Sequence, residues 1–119
     1  MTDARVLDPT ALQAMLEMVG GDTAFLAEMI DTYLVDSPQL LADLGQAVAG
    51  GNADLLRRSA HSLKSNSAGF GAHTLATLAR QLEDIGKQGS TDGAAPMLAE
   101  AGAEYERVQA ALLAARPEG

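Results

Sequence analysis

Residues 56–70 read LRRSAHSLKSNSAGF. Leu56, Ala60, Leu63, Ser67 and Phe70 recur at spacings of 4, 3, 4 and 3, the period of one buried stripe on an α-helix. On a wheel of about 100° per residue with His61 at zero, Leu56, Leu63 and Ser67 fall near 200–240° and Ala60 near 260°. His61 therefore projects away from the stripe, into water. Its neighbours on that exposed side are Arg57 and Arg58 one turn before, and Lys64 and Ser65 one turn after. A ring set among three cations and one small residue lowers the cost of placing a dianion on the imidazole.

The same rhythm extends in both directions. Asp8-Pro9 carries the cap and first-turn proline of a short helix with Leu12, Leu16 and Val19, stopped by Gly20-Gly21. Asp22 can cap a second helix bearing Leu26, Ile30, Tyr33 and Leu34. Ser37-Pro38 repeats the cap-plus-proline signal, so a new helix or a sharp bend is expected there, with Leu41, Leu44 and Val48 as its apolar positions. Gly50-Gly51-Asn52 ends that stretch and caps the next. After Gly71, the positions Leu75, Leu78, Leu82 and Ile85 mark a helix expected to stop between Gly86 and Gly89. Leu98, Ala101, Tyr105, Val108 and Leu112 mark the last helix, with Pro96 in its first turn and fraying at Arg116-Pro117.

No stretch alternates strictly enough for a strand, and no internal repeat or low-complexity linker is present. Leucine and alanine supply 40 of the 119 residues, valine and isoleucine only seven, a balance that favours helix over sheet. Four amphipathic helices of roughly 12–24 residues on short loops must bury their stripes on one another. The expected fold is all-α, an antiparallel up-down four-helix bundle with a short additional N-terminal helix packed at one end. Residues 1–119 are expected to form one domain.

Composition narrows the function. With no cysteine there is no disulfide framework and no thiolate metal site. No apolar run approaches the ~20 residues of a membrane span, and MTDARVLDPT lacks the order of a signal peptide, so a cytoplasmic protein without a membrane anchor is expected. A net charge of −8 argues against nucleic acid or an anionic membrane as partner. The charge is uneven: from Leu55 to Ser90, five basic residues face only Glu83 and Asp84. Singly, such charges belong to an ordinary solvated helix face.

With these residues in view, Ala60-His61-Ser62-Leu63-Lys64, followed by Gly71-Ala72, resembles the H-x-L-K signature of histidine-containing phosphotransfer (HPt) domains, the intermediate carriers of multistep phosphorelays. Leu7-Asp8, Gly21-Asp22-x-x-Phe25-Leu26, Gly51-Asn52 and Leu82-Glu83 match the family's punctuation, so the resemblance spans essentially the whole chain. Two positions depart from it. Ser65 stands where the family often has glycine, and Ala68-Gly69-Phe70 where it often has an asparagine or alanine followed by leucine.

The resemblance implies a phosphocarrier. His61 would take a phosphoryl group from an aspartyl phosphate on a receiver domain and pass it to a second receiver. Lys64 would neutralise phosphate oxygens as a point charge, and Glu83 would orient the imidazole. The competing reading of Glu83 is an intrahelical partner of Arg80 and Lys87. Arg57, Arg58, Ser65, Ala68, Leu12 and Met15 are expected at the partner-binding surface, the last two as the apolar seal beside His61. Gly71 reads as a turn or tight-packing glycine, and His73 as a bystander. No cofactor or metal of its own is expected; magnesium belongs to the receiver. The expected partners are response-regulator receiver domains and a hybrid histidine kinase, the chain being a monomer. With no P-loop or glycine-rich nucleotide box, it should not be an autokinase. The alternatives are a helical docking module that binds a receiver or kinase without carrying phosphate, and a dimerising kinase fragment.

Overall fold

The structure, a computed structural model, describes residues 6–117; the start of the segment read for a leader lies outside the described residues. Five helices follow one another: α1 Pro9–Met18, α2 Thr23–Gly50, α3 Ala53–Gly69, α4 His73–Lys87 and α5 Ala94–Ala115. No strand occurs among the described residues. Helices α2 to α5 form a ring in which each packs on the next and α5 closes back on α2, while α1 lies against α2 and α3. This is the expected bundle with its short extra helix.

The caps act as read. The Asp8 side chain accepts from the Thr10 N–H, Asp22 from Phe25 and Asn52 from Leu55, each satisfying one of the unpaired donors that open a helix. Leu56, Ala60, Leu63, Ser67 and Phe70 are all buried, together with Ile30, Leu44, Leu75, Leu82, Val108 and Leu112. The one hydroxyl on that stripe, Ser67 Oγ, is paired with the Tyr33 hydroxyl at 2.8 Å. Burial pushes the Tyr33 phenol up to about 12, against the opposing effect of the Ser67 contact.

One boundary differs from expectation. Helix α2 does not break at Ser37-Pro38; it runs on for 28 residues with Pro38 inside it. Proline removes one backbone donor and crowds the preceding turn, at a cost of about 3 kcal/mol. Breaking the helix would cost more. Leu26, Ile30 and Tyr33 before it and Leu44 and Ala47 after it are buried in the same core, and burying each large side chain contributes about 1.5–3 kcal/mol. Ser37, read as a cap, is instead fully buried.

Helix α4 stops between Gly86 and Gly89 as expected, but Gly86 is not itself the stop. It lies within α4, whose last residue is Lys87. A Cβ there would sit 2.8 Å from the Ala53 carbonyl oxygen and 2.8 Å from the Arg57 nitrogen. Its glycine serves close contact between α4 and α3.

Gly71 combines both roles proposed for it. Its φ of +76° is left-handed, and an added Cβ would lie 2.8 Å from the Cβ atoms of Ala11 and Asp8. The Asp8 N–H donates to the Gly71 carbonyl at 3.0 Å. The turn between α3 and α4 thus seats the start of α1, at one end of the bundle.

Candidate functional site

Helix α3 carries His61 outward, with 58% of its side chain exposed. Directly across, α4 presents Glu83, whose side chain is only 5% exposed. The two helices supply opposite ends of one contact: His61 Nδ1 lies 2.8 Å from Glu83 Oε2. The other carboxylate oxygen, Oε1, lies 2.7 Å from the Lys64 ammonium. Lys87, one turn after Glu83, reaches Oε2 at 3.7 Å. One nearly buried carboxylate is therefore held by an imidazole and two ammoniums.

Burial raises the Glu83 carboxyl pKa, but contacts with Lys64 and His61 outweigh it and hold the group below its usual range. Glu83 is then ionised near neutrality. A carboxylate only accepts, so the Nδ1–Oε2 contact is a hydrogen bond donated by the ring's Nδ1–H. In the neutral imidazole the lone pair is consequently on Nε2, which makes no hydrogen bond among the described residues.

Both readings of Glu83 meet here. It touches the imidazole and also Lys87, but no Glu83–Arg80 ion pair forms among the described residues. Lys64 is near His61 as expected, yet it is engaged by Glu83 rather than standing free. Arg57 and Arg58 flank the site and both bind Asp54, at 2.8 Å each. Their guanidiniums draw the Asp54 carboxyl below its usual range. Asp54 was not singled out in the sequence, although its spacing of three and four residues from the two arginines carries that signal.

Ser65 borders an apolar groove shared with Met15, Phe25, Met29, Gly69 and Phe70. Met15 thus reaches the flank of the histidine face, its Cε 3.6 Å from where a Cβ on Gly69 would be. Leu12 does not join it; it lines a separate hollow against α5 with Leu7, Ala103 and Ala111. The two positions are only about 60° apart around α1 but nearly a turn apart along it: the start of the helix, with Leu12, lies against α5, and Met15 lies against α2 and α3. Ala68, two turns beyond His61, is exposed on the same outward side of α3. His73 opens α4 and its Nε2 lies 3.2 Å from Asp8 Oδ2, joining the N-terminal segment to the bundle away from Lys64 and Glu83.

Among the described residues, no three His, Asp or Glu side chains gather where they could hold a metal ion. No helix of the described chain is long and apolar enough to cross a membrane.

Comparison with known proteins bears on the fold and the family. The model of the Hpt domain family matches residues 28–111. A crystal structure of histidine-containing phosphotransfer protein B (HptB) from Pseudomonas aeruginosa PAO1 superposes with a TM-score of 0.86 at 28% identity, covering 95% of this chain and 96% of that one. A comparison with curated protein sequences gave no match. The chain belongs to the Hpt domain family, whose members are histidine phosphotransfer proteins of phosphorelays rather than kinases.

Proposed function

We propose that His61 carries the phosphoryl group, on Nε2, taking it from an aspartyl phosphate of a response-regulator receiver domain and giving it to another. The observation that carries this reading is the exposed ring whose Nδ1 is already committed to Glu83. The Nε2 lone pair attacks phosphorus; the N–P bond forms as the acyl P–O bond breaks and the aspartate carboxylate leaves. The ring becomes a phosphorylated imidazolium that keeps its proton on Nδ1, and the Glu83 carboxylate offsets its charge. Attack by a second receiver's aspartate on the same phosphorus reverses these steps and returns a neutral histidine.

Magnesium and the acidic pocket that hold the phosphoryl oxygens are contributed by the receiver in this scheme. Lys64, next to Glu83, turns its ammonium to the phosphoryl oxygens as their charge arrives. Arg57, Arg58, Ser65 and Ala68 form the approach to the ring, and the groove of Met15, Phe25, Met29 and Phe70 beside Ser65 gives the receiver an apolar surface to dock on. A hybrid histidine kinase is the source of the phosphate upstream, and the chain acts as a cytoplasmic monomer.

Incubation with a phosphorylated receiver, followed by isolation of this chain, tests the proposal. Acid-labile, base-stable label on wild type and none on His61→Gln is expected. Absence of label from wild type would leave the docking module as the reading.

A further inference from the structure

One turn away from the Glu83–His61 contact, α3 and α4 approach too closely for a side chain at the crossing. Gly86, three residues after Glu83, faces Arg57, four residues before His61, backbone to backbone. A Cβ on Gly86 would stand 2.8 Å from the Ala53 oxygen, 2.8 Å from the Arg57 nitrogen and 3.0 Å from the Arg57 Cα. All three obstacles are main-chain atoms of α3, so no side-chain rotation relieves them; ordinary contact begins at 3.4 Å. The helices must part, or α4 must turn.

The demand is local. Gly45 and Gly102, in the interiors of α2 and α5, have nothing within 4 Å of an added Cβ. Glu83 also tolerates little displacement, because its two oxygens have separate partners, His61 at 2.8 Å and Lys64 at 2.7 Å.

We propose that Gly86 is a positioning residue for His61: its missing side chain sets the α3–α4 separation at which one carboxylate holds the imidazole and Lys64 together. The consequence for transfer rests on the carrier function proposed above; the consequence for the ring does not.

The test uses the full chain with Gly86→Ala, and Gly45→Ala with Gly102→Ala as controls. The first readout is the nitrogen NMR signature of the His61 imidazole at alkaline pH, where wild type should show the Nδ1–H tautomer. Gly86→Ala should move it towards a mixture of tautomers while both controls keep it. The second is label uptake from a phosphorylated receiver, expected to fall roughly tenfold to a hundredfold, as small displacements of reacting groups do. A folded Gly86→Ala with wild-type tautomer signal overturns the proposal. If Gly86→Ala alone does not fold, it is placed on the Gly45→Ala/Gly102→Ala background, which gains helix propensity; failure to fold there too makes Gly86 a core-packing residue and overturns the proposal as well. Should wild type itself take no phosphate, the carrier reading fails and the imidazole signature still decides for Gly86.

Discussion

The Lys64 ammonium lies 2.7 Å from Glu83 Oε1, bound to the same carboxylate that holds the His61 ring. Lys64 is thus held in place before any phosphate arrives, and with 29% of its side chain exposed it has room to turn outward. A released lysine leaves Glu83 still accepting from the Nδ1–H and still near Lys87, so the ring keeps its orientation as the lysine changes partner.

Lys64→Ala should therefore slow transfer without releasing the ring. Losing a hydrogen bond to a charged group costs about 1.5–3 kcal/mol, and at about 1.36 kcal/mol per decade the rate should fall roughly tenfold to a hundredfold. Lys64→Arg should retain part of the activity, since a point charge suffices. Single-turnover uptake at low salt measures both; a wild-type rate in Lys64→Ala would reduce this residue to a structural partner of Glu83.

His61→Gln should abolish uptake while the fold survives, because the side chain is mostly solvated and a glutamine amide can still donate to Glu83; the melting temperature should fall by no more than a few degrees. His73→Gln should transfer normally, its contact being with Asp8. Labelling of His61→Gln, or its loss in His73→Gln, contradicts the assignment.

The wheel of Leu56–Phe70 alone was enough to aim His61 at solvent, because helix period and burial are local properties of sequence. At Pro38 the local stop signal is real, but apolar residues on both sides share one core and the helix runs on through it. Gly86 hides a second role behind the helix stop: a stop and a close helix crossing both call for glycine, and only the position of Ala53 and Arg57 reveals the crossing. The choice between the two roles of Glu83 likewise depended on how α4 crosses α3. Arg80 and Lys87 were visible as neighbours in sequence, whereas His61 and Lys64 become neighbours only through that crossing.

Gly71→Ala should destabilise the fold through two effects acting at one atom. Left-handed backbone costs a non-glycine residue about 1–2 kcal/mol, and the new Cβ meets Asp8 and Ala11 at 2.8 Å. The melting temperature should fall by several degrees at least, more than for Gly45→Ala, which should hold or raise it. An unchanged melting temperature in Gly71→Ala would mean that the start of α1 is not seated on this turn.

Acid should weaken the site through Glu83. Its folded pKa is depressed, so the carboxylate contributes stability that is fully present above the unfolded value, near 4.5, and is lost as pH falls through the lower folded value. Glu83→Gln keeps the shape and can still accept from Nδ1–H through its amide oxygen, but has no charge for Lys64 and Lys87. Wild type should therefore be the more stable of the two at neutral pH, and the gap should close as the solution is acidified below about 4.5. Transfer should slow in Glu83→Gln at neutral pH, because the phosphorylated ring loses the negative charge beside Nδ1. Urea unfolding of both proteins across the acid range reads the first effect, and single-turnover uptake reads the second. A stability gap that stays constant through the acid range would show that the charge of Glu83 does not hold α3 to α4, and that packing around the carboxylate does.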